Sequence, residues 1–425
     1  MSDLEGYLDV KRPSEKDWHI RFCTLSGNGL CMYEDETKIA LSCQIIIDHD
    51  TNISCSDENE KALIFSITCP NAGVYAFRAK CLDSLVKWLN KLLQKLYPSN
   101  GISIDDFEII SELGRGSYGK VMLAKYKKTD ELVAIKSIHK KFLIDKHQVN
   151  TVLTEREILM KVDCPYIIKL LFSFQSPSKF YLVLEYSSGG DLFSHLRNSG
   201  RFTLDDIKIY IAELAVAIHH LHKNSIIYRD LKPENVLFCA DGHLKLTDFG
   251  ISKILKQHSD TTSTMCGTKE YIAPEEILGN QYGYAVDWWQ LGILLYEIIA
   301  RHTPFANENT QTLFKNILSR NVALFPIRDP GAKSLIGHLL KKDPKERACF
   351  KDIHASPFFE GFDWDTIANH SAKCAYIPDD FSSDDCVNCD AECQGERPCE
   401  SYVMPVMERF ENFSYTDKRF TQAVE

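Results

Sequence analysis

The 425-residue sequence predicts a multidomain α+β protein, with a small helix-capped β-barrel or sandwich, a two-lobed α+β domain and an extended tail. The length suits two or three domains at about 150 residues each. Short strand-like runs fill the first part and end in one amphipathic helix, whereas residues 102–359 are strand-rich first and helix-rich afterwards. Beyond Phe359 the periodicity fails. We therefore expect domains at 1–98 and 104–359, a linker at 99–103 and a tail at 360–425.

Charge and composition exclude several classes of protein. The chain carries 49 basic and 59 acidic residues, a net charge of -10, so the whole molecule should not attract nucleic acid. Residues 360–400 alone hold 2 basic and 11 acidic residues, a net of -9. Neither a secretory signal nor an apolar run of about 18 residues is present, so we expect a cytoplasmic protein whose cysteines are mostly reduced. We also expect the chain to be a monomer.

The first domain is predicted from period-two runs. Trp18, Ile20 and Phe22 share one face of such a run, and similar runs occur at 29–33, 62–68 and 74–78. After Asp83, a candidate N-cap, leucines and Trp88 recur at helical spacing. The break at 98–101 then marks the first domain boundary.

A glycine motif opens the second domain. Gly114, Gly116 and Gly119 form GxGxxG, which alone indicates either an ordinary turn or a dinucleotide-binding turn. Strand-like runs at 120–124 and 133–136 follow, so the glycines should join two strands as a flap. Such a flap can lay backbone N–H groups over phosphates, because glycine has no side chain to obstruct them.

A lysine and a carboxylate follow this flap. Lys136 ends an apolar strand, where a buried amine needs a partner, although a surface lysine is the alternative reading. Glu155 lies 19 residues later in the helical run 149–161 and can pair with Lys136. Glu157 points to a different face of that helix.

The segments 228–235 and 248–250 complete a phosphoryl-transfer pattern. Asp230 is placed to accept a hydroxyl proton, and Lys232 to neutralise the transferring phosphoryl group. Asn235 and Asp248 offer oxygen ligands that suit Mg²⁺. The set resembles eukaryotic protein kinases, and Ala273–Glu275, Asp287 and Arg347 follow in the order typical of them.

This resemblance implies an ATP site. The backbone of Glu185, Tyr186 and Ser187 would bond adenine behind Leu184 as gatekeeper. The glycines would cover the phosphates, and the base would lie among four apolar side chains: Leu113, Val121, Ala134 and Leu237. Lys232-Pro233-Glu234 resembles Ser/Thr kinases rather than tyrosine kinases.

Further motifs resemble the AGC group of these kinases. Residues 264–271, the YRDLKPEN run and 286–289 carry the likeness, and 410–415 matches the group's hydrophobic motif. The resemblance implies activation by upstream kinases that phosphorylate Thr264 and Ser414. Phosphate on Thr264 would lie beside Arg229 and Lys253 and order its segment through charge-assisted bonds.

The chain departs from the AGC pattern at four places. Thr151 and Lys269 replace a usual histidine and proline, Ala391 lies where a turn-motif phosphosite is expected, and 379–381 only partly match the acidic-aromatic motif.

Asp191, Glu234 and Glu297 match acidic positions that hold substrate arginines in related kinases, so we expect protein substrates with arginine near the phosphorylated residue.

The first domain resembles a pleckstrin homology (PH) domain through Gly6-Tyr7-Leu8, residues 18–22 and Trp88. PH domain, AGC kinase and tail together resemble the protein kinase B (Akt) family. Lys11, Arg12 and Arg21 are the candidate phosphoinositide ligands, which would recruit the chain to the plasma membrane. Residues 1–97 hold 11 basic and 14 acidic residues, so a protein-docking PH domain is the alternative.

The tail cysteines leave a metal question open. Cys386, Cys389, Cys393 and Cys399 contain one Cys-x2-Cys pair among acidic residues, which favours no metal over zinc or redox chemistry, and Cys374 has no assigned role. The sequence as a whole predicts a Ser/Thr kinase that uses ATP and Mg²⁺. A pseudokinase scaffold is the alternative, disfavoured because Lys136, Asp230, Asn235 and Asp248 are all present.

Overall fold

The computed structural model describes residues 3–48, 50–55, 62–70, 72–96, 101–116, 119–198, 202–255, 261–374, 376–378, 410 and 412–421. These residues divide between two compact units, described separately below. The first comprises the described residues of 1–149, 171–184 and 388–425, and the second those of 150–170 and 185–387. No helix among the described residues is long and apolar enough to span a membrane. The linker expected at 99–103 is described only from Gly101 onward.

The N-terminal domain is an antiparallel sheet packed against one helix. Its described strands follow the spatial order β4-β3-β2-β1-β7-β6-β5. They are β1 (Leu4–Lys11), β2 (His19–Ser26), β3 (Gly29–Tyr33), β4 (Leu41–Ile46), β5 (Asn52–Ser54), β6 (Ile64–Cys69) and β7 (Gly73–Arg78), followed by α1 (Leu82–Leu96). Helix α1 contributes Leu85, Trp88 and Leu89 to the core. Because α1 begins at Leu82, Asp83 lies in its first turn rather than at the N-cap.

The period-two face in β2 is the outer face of the sheet. Ile20 is 63 % exposed, whereas the alternate residues Cys23 and Leu25 are fully buried in the core. Phe22 packs edge-on against Tyr7, with ring centroids 5.1 Å apart, outside that core. The periodicity therefore identified a strand but not which face is buried, because both faces carry apolar side chains.

A second sheet forms the strand-rich part of the next domain, in the order β17-β11-β12-β10-β9-β8. Its strands are β8 (Phe107–Gly116), β9 (Gly119–Tyr126), β10 (Leu132–His139), β11 (Leu170–Gln175), β12 (Lys179–Glu185) and β17 (Tyr415–Thr416). Two helices follow β10 in the chain, α2 (Lys140–Asp145) and α3 (Val149–Lys161), and all of α3 after its first residue belongs to the other unit. The core of this sheet contains Phe107, Val133, Ile135 and Phe172.

Helices and short hairpins form the other unit. Its elements are α4 (Leu192–Asn198), α5 (Leu204–Lys223), β13 (Ile226–Ile227), β14 (Val236–Phe238), β15 (Leu244–Leu246), β16 (Lys253–Ile254), α6 (Pro274–Ile277), α7 (Ala285–Ala300), α8 (Thr310–Ser319), α9 (Pro330–Leu339), α10 (Phe350–His354) and α11 (Trp364–Ala368). A capping box between Thr203 and Asp206 starts α5. Helix α7 is buried on nearly every side.

The tail is more structured than the failed periodicity predicts. Residues 415–416 add strand β17 to the edge of the second sheet, pairing Tyr415 with Ser173 and Thr416 with Phe172. Helix α12 (Lys418–Thr421) follows. A two-residue strand has too little pattern to be recognised from its own sequence, because its pairing depends on a distant partner.

Candidate active site

One buried carboxylate organises the catalytic loop. Asp287, near the start of α7, accepts the backbone N–H groups of Tyr228 at 3.0 Å and Arg229 at 2.8 Å. His222 Nε2 also lies 2.7 Å from Asp287 Oδ2. Asp287 is fully buried, so each of these contacts is made away from water. The loop is thus fixed to a rigid helix rather than to solvent-exposed chain.

Asp230 lies at the centre of a polar group that includes two other predicted residues. Lys232 Nζ is 3.0 Å from Asp230 Oδ2, and Asn235 Nδ2 donates to the same oxygen at 2.8 Å and to the Asp230 carbonyl at 2.9 Å. Asp230 and Asn235 are buried. Since the Asn235 amide nitrogen donates to Asp230, its carbonyl oxygen is available as an acceptor or ligand.

The predicted metal ligand Asp248 adopts a left-handed backbone conformation, with φ 56°. Its Oδ1 accepts the backbone N–H of Gly250 at 3.2 Å. Arg229 is also left-handed, with φ 69°. Such conformations cost free energy in non-glycine residues and cluster at functional sites. Asn235 and Asp248 supply oxygen atoms only, which fits a hard cation such as Mg²⁺.

In the second sheet, the strand register places three predicted residues in one row across neighbouring strands. Gly114 pairs with Val121 across β8 and β9, and Val121 pairs with Lys136 across β9 and β10. Ala134 lies two residues before Lys136 on the same face of β10, opposite the buried Val133 and Ile135. This face is therefore distinct from the face that builds the core.

The glycine motif forms the β8–β9 hairpin, in which Gly116 pairs with Gly119. Residues 117 and 118 lie outside the described residues. A Cβ at Gly119 would lie 1.8 Å from the Ser137 carbonyl oxygen, so no larger residue fits there without backbone movement. Leu113 immediately precedes Gly114 in β8 and is half-buried. The prediction of a strand-flanked flap agrees with this hairpin.

The other predicted adenine-binding residues lie in the helical unit. Glu185 Oε1 accepts the Lys169 N–H at 2.8 Å and contacts Lys245 Nζ at 2.6 Å. Ser187 donates its hydroxyl to the Phe238 carbonyl at 3.0 Å. The backbones of Leu237 and Asp191 pair in an isolated antiparallel β-bridge. These contacts fix the segment after β12. Leu184, the predicted gatekeeper, belongs to the unit that contains the sheet and is buried there.

Glu155 is a buried carboxylate on α3, 2 % exposed, whereas Glu157, predicted to point to a different face of this helix, is exposed. A Cβ at Gly250 would lie 4.0 Å from Glu155 Oε2. Glu155 therefore lies close to the segment that carries Asp248. Thr151 is half-buried one turn earlier on α3.

Two of the three predicted substrate-binding acids share one electrostatic environment. Burial raises the pKa of the Glu297 carboxyl, and the charges of Glu234 and Glu270 raise it further. Tyr271 donates its hydroxyl to Glu297. Asp191 has a structural role, because it accepts the backbone N–H of Ser194 at 2.8 Å as α4 begins.

The predicted phosphosite Thr264 is exposed. Its carbonyl accepts the Tyr282 hydroxyl, and Arg229 Nη1 donates to that hydroxyl at 3.3 Å. Lys253 Nζ contacts Thr262 Oγ1 at 2.9 Å, two residues before Thr264. Both predicted cations therefore touch groups that surround Thr264. Lys269, at the position of the usual proline, contacts Thr310.

The hydrophobic motif packs on β11 and β12. The rings of Phe410 and Phe413 lie 5.0 and 4.5 Å from the ring of Phe180. Phe413 is 1 % exposed, and its carbonyl accepts the Ser173 hydroxyl at 2.6 Å. The predicted phosphosite Ser414 is exposed. The tail positions 379–381, Ala391 and the cysteines from Cys386 to Cys399 lie outside the described residues.

The predicted lipid ligands do not share one face. Arg21 pairs with Leu8 on the inner face of the N-terminal sheet. Lys11 lies three residues after Leu8 in β1 and therefore lies on the opposite face. Arg12 Nε donates to Glu15 at 2.8 Å and lowers the pKa of that carboxyl to about 2. Arg21 lies 3.8 Å from Glu34. Acidic neighbours therefore partly neutralise two of the three cations.

Two residues that serve the site stand outside the recognised sequence motifs. Gln290 accepts the Leu231 N–H at 3.0 Å and donates to the Arg229 carbonyl at 2.9 Å. Its position three residues after Asp287, on the same face of α7, was the available signal. Glu270, which acts electrostatically on Glu297, could not be found by spacing because a turn separates it from α7.

Comparison with known proteins adds independent findings. Residues 107–359 match the protein kinase domain and residues 3–97 match the PH domain. The chain is 34 % identical to a RAC family serine/threonine-protein kinase homolog of Dictyostelium discoideum, over 97 % of this chain and 96 % of that protein. It is 44 % identical to the serine/threonine-protein kinase YPK2/YKR2 of Saccharomyces cerevisiae, over 71 % of this chain and 45 % of that protein. Identity to the serine/threonine-protein kinase gad8 of Schizosaccharomyces pombe is 40 %, over 76 % and 59 %.

Proposed function

Since the chain belongs to the protein kinase family, as a PH-domain Ser/Thr kinase of the AGC, Akt-like group, we propose that it phosphorylates Ser or Thr in arginine-containing protein sequences. The phosphate donor is ATP. The observation that carries this proposal is the polar group around Asp230, in which Lys232 and Asn235 contact one buried carboxylate.

The chemistry follows from the roles these groups can take. Asp230 accepts the proton of the substrate hydroxyl while the oxygen of that hydroxyl bonds to the γ-phosphorus of ATP. At the same time the bond between the γ-phosphorus and the bridging oxygen breaks, and ADP leaves. Positioned bases contribute about 10²–10⁴-fold to such reactions. Lys232, within reach of Asp230, stabilises the charge on the transferring phosphoryl group. The Asn235 amide keeps the Asp230 carboxylate oriented.

The cofactor and nucleotide are assigned to the residues that suit them. Asn235 and Asp248 would hold Mg²⁺, which supplies positive charge to the phosphates. The apolar side chains Leu113, Val121, Ala134 and Leu237 would contact adenine, with backbone bonds from Glu185 and Ser187. Gly114, Gly116 and Gly119 would cover the phosphates, and Glu155 would orient Lys136 toward them. The row formed by Gly114, Val121 and Lys136 supports this assignment.

Arginine preference is proposed from the carboxylates Glu234, Glu270 and Glu297. The negative charges of Glu234 and Glu270 raise the pKa of the Glu297 carboxyl, so the three carboxylates lie close enough to repel one another. A guanidinium group in the substrate would relieve that mutual repulsion and bond the carboxylates in pairs. Asp191, which caps α4, is a further proposed arginine-binding carboxylate.

Regulation is proposed at three places. Phosphate on Thr264 would bond Arg229 and Lys253, whose partners Tyr282 and Thr262 already flank it. Phosphate on Ser414 would favour the docked tail. The PH domain would bind phosphoinositide membranes through Lys11, Arg12 and Arg21, and the PH-domain match supports this role.

Asp230→Asn tests the catalytic proposal. The amide keeps the shape of the side chain but accepts a proton far less readily, so kcat should fall by about 10²–10⁴-fold with an arginine-containing peptide. Radiolabelled phosphate transfer measures this rate, and circular dichroism checks that the fold is retained. Asp17→Asn, at an exposed position of the PH domain, is the matched control. Wild-type activity in Asp230→Asn would disprove the assignment of this residue as the base.

A further inference from the structure

Three metal-ligating side chains converge beside the β14–β15 hairpin, apart from the phosphoryl-transfer residues. Glu213, His243 and Cys374 each offer one ligand atom, and these atoms lie within 4.8 Å of one another. Glu213 and His243 are buried, 0 and 5 % exposed, and Cys374 is half-buried. We propose that this cluster binds a zinc ion that fastens the start of the C-terminal tail to the kinase domain.

Three separate segments position the ligands. Glu213 projects from the middle of α5, and its Oε2 accepts the Leu244 N–H at 2.8 Å. His243 immediately precedes β15 and contacts the other oxygen of Glu213 through Nδ1. Cys374 comes from the tail, after α11. A rigid helix and a hairpin thus present two ligands to a segment that brings the third.

Gly242 permits this approach of the tail. Its φ is +85°, and a Cβ there would lie 2.3 Å from the Tyr376 carbonyl oxygen and 2.8 Å from Cys374 Cβ. Any side chain at this position would therefore push Cys374 away from His243. Tyr376 adds two contacts, from its hydroxyl to His195 Nδ1 at 2.6 Å and from its N–H to Asp206 at 3.3 Å.

The ligand types and their spacing suit zinc. Zinc binds Cys, His and Glu, and with bonds of about 2.3 Å to sulfur and about 2.05 Å to nitrogen a tetrahedral site separates these two atoms by about 3.6 Å. Cys374 Sγ lies 3.7 Å from His243 Nδ1. The carboxylate and imidazole are hydrogen-bonded now, so they would separate slightly as the ion replaces their proton. The soft thiolate disfavours Mg²⁺ and Ca²⁺.

A second group of possible metal ligands adjoins the first and shares His243 with it. Asp241 and His370 offer ligand atoms within 4.8 Å of one another and of His243. The His370 and His243 rings lie 4.3 Å apart, and His370 Nε2 is a buried atom without a hydrogen-bond partner in the described part of the chain. Outer donors of this kind orient metal-bound histidines and tune their affinity.

Zinc binding to the full chain tests the proposal, in a variant with Cys386, Cys389, Cys393 and Cys399 replaced by serine. This background removes the other tail thiols as ligands. After chelation and dialysis, zinc is added, and bound metal is measured by mass spectrometry. Co²⁺ in place of zinc reports sulfur ligation through the thiolate-to-metal absorption band. We expect one equivalent of zinc and a clear Co²⁺–thiolate band.

Cys374→Ala and Cys374→Ser in that background should weaken zinc binding by at least about 10-fold and abolish the Co²⁺ band. Cys349→Ala, which removes an exposed cysteine, should change neither. Hydrogen exchange of residues 371–378 should slow on zinc addition only when Cys374 is present. Absence of stoichiometric zinc, or a Co²⁺ band that survives loss of Cys374, would overturn the proposal. Zinc bound only when the four other cysteines are intact would assign the metal to them instead.

Discussion

At the scale of single residues, buried acceptors decide the geometry of the catalytic loop. Asp287 receives two backbone N–H groups and Gln290 contacts both neighbours of Asp230. Removing Asp287 would leave buried donors unpaired, which costs about 1–3 kcal/mol for each. The sequence identified Asp287 through its motif but missed Gln290, since glutamine on an apolar helix has many structural uses.

A prediction at this scale concerns arginine selectivity. Glu234→Gln together with Glu297→Gln removes two carboxylates while keeping the side-chain shapes. The ratio of kcat/KM for an arginine peptide to that for its alanine analogue should fall by about 10-fold or more, because charge-assisted bonds contribute about 1.5–3 kcal/mol. Steady-state kinetics with both peptides measures the ratio.

Selectivity should also depend on pH. Because burial and neighbouring carboxylates raise the pKa of Glu297, its negative charge is lost at a higher pH than for an exposed glutamate. Wild-type selectivity for arginine should therefore rise with pH as Glu297 ionises, while the double variant shows a flatter profile. Equal pH profiles, or an unchanged peptide ratio, would contradict the assignment.

At the scale of elements, long periodic helices were predictable and short non-local pairings were not. The helix over Val149–Lys161 has the predicted bounds, because its apolar spacing is local information. The buried face of β2 was not determined by Ile20 and Phe22, since apolar residues lie on both faces. Strand β17 required knowledge of its partner β11. Sequence thus predicts an element better than the surface against which it packs.

Phe413→Ala tests how the tail is held on its sheet. Phe413 is 1 % exposed against Phe180, and truncating such a side chain costs about 3–5 kcal/mol. Residues 412–421 should exchange their amide hydrogens faster, as measured by hydrogen-exchange mass spectrometry. Phe325→Ala, at a position 86 % exposed, is the control. Unchanged exchange in Phe413→Ala would mean that other contacts hold the tail.

At the scale of the whole molecule, charge is distributed by segment. Residues 360–400 carry a net of -9 out of the total of -10, so the acidity belongs mainly to the tail. Several cations of the PH domain form ion pairs, such as Arg12–Glu15 and Lys38–Glu5. A membrane would have to compete with these internal partners, and any lipid affinity should therefore be sensitive to salt.

Liposome sedimentation of the full chain tests the lipid proposal. Vesicles containing phosphoinositide should bind the wild type, and Lys11→Ala with Arg21→Ala should reduce the bound fraction several-fold, because each basic residue contributes about 1 kcal/mol. Lys146→Ala, an exposed lysine outside the PH domain, controls for general charge. Equal sedimentation with and without phosphoinositide would favour the protein-docking alternative.

Strand β17 has a consequence for how the chain behaves among its own copies. An outermost β-strand with open N–H and C=O groups invites another chain to pair with it, which is a common start of aggregation. Here Ser173 and Phe172 of β11 pair with residues 415–416 of the same chain, and Asp417 N–H reaches the Leu171 carbonyl at 2.8 Å. The tail thus occupies a site that would otherwise be open to a neighbouring molecule. Any event that releases the tail therefore also exposes the unpaired edge of β11 to pairing with another chain.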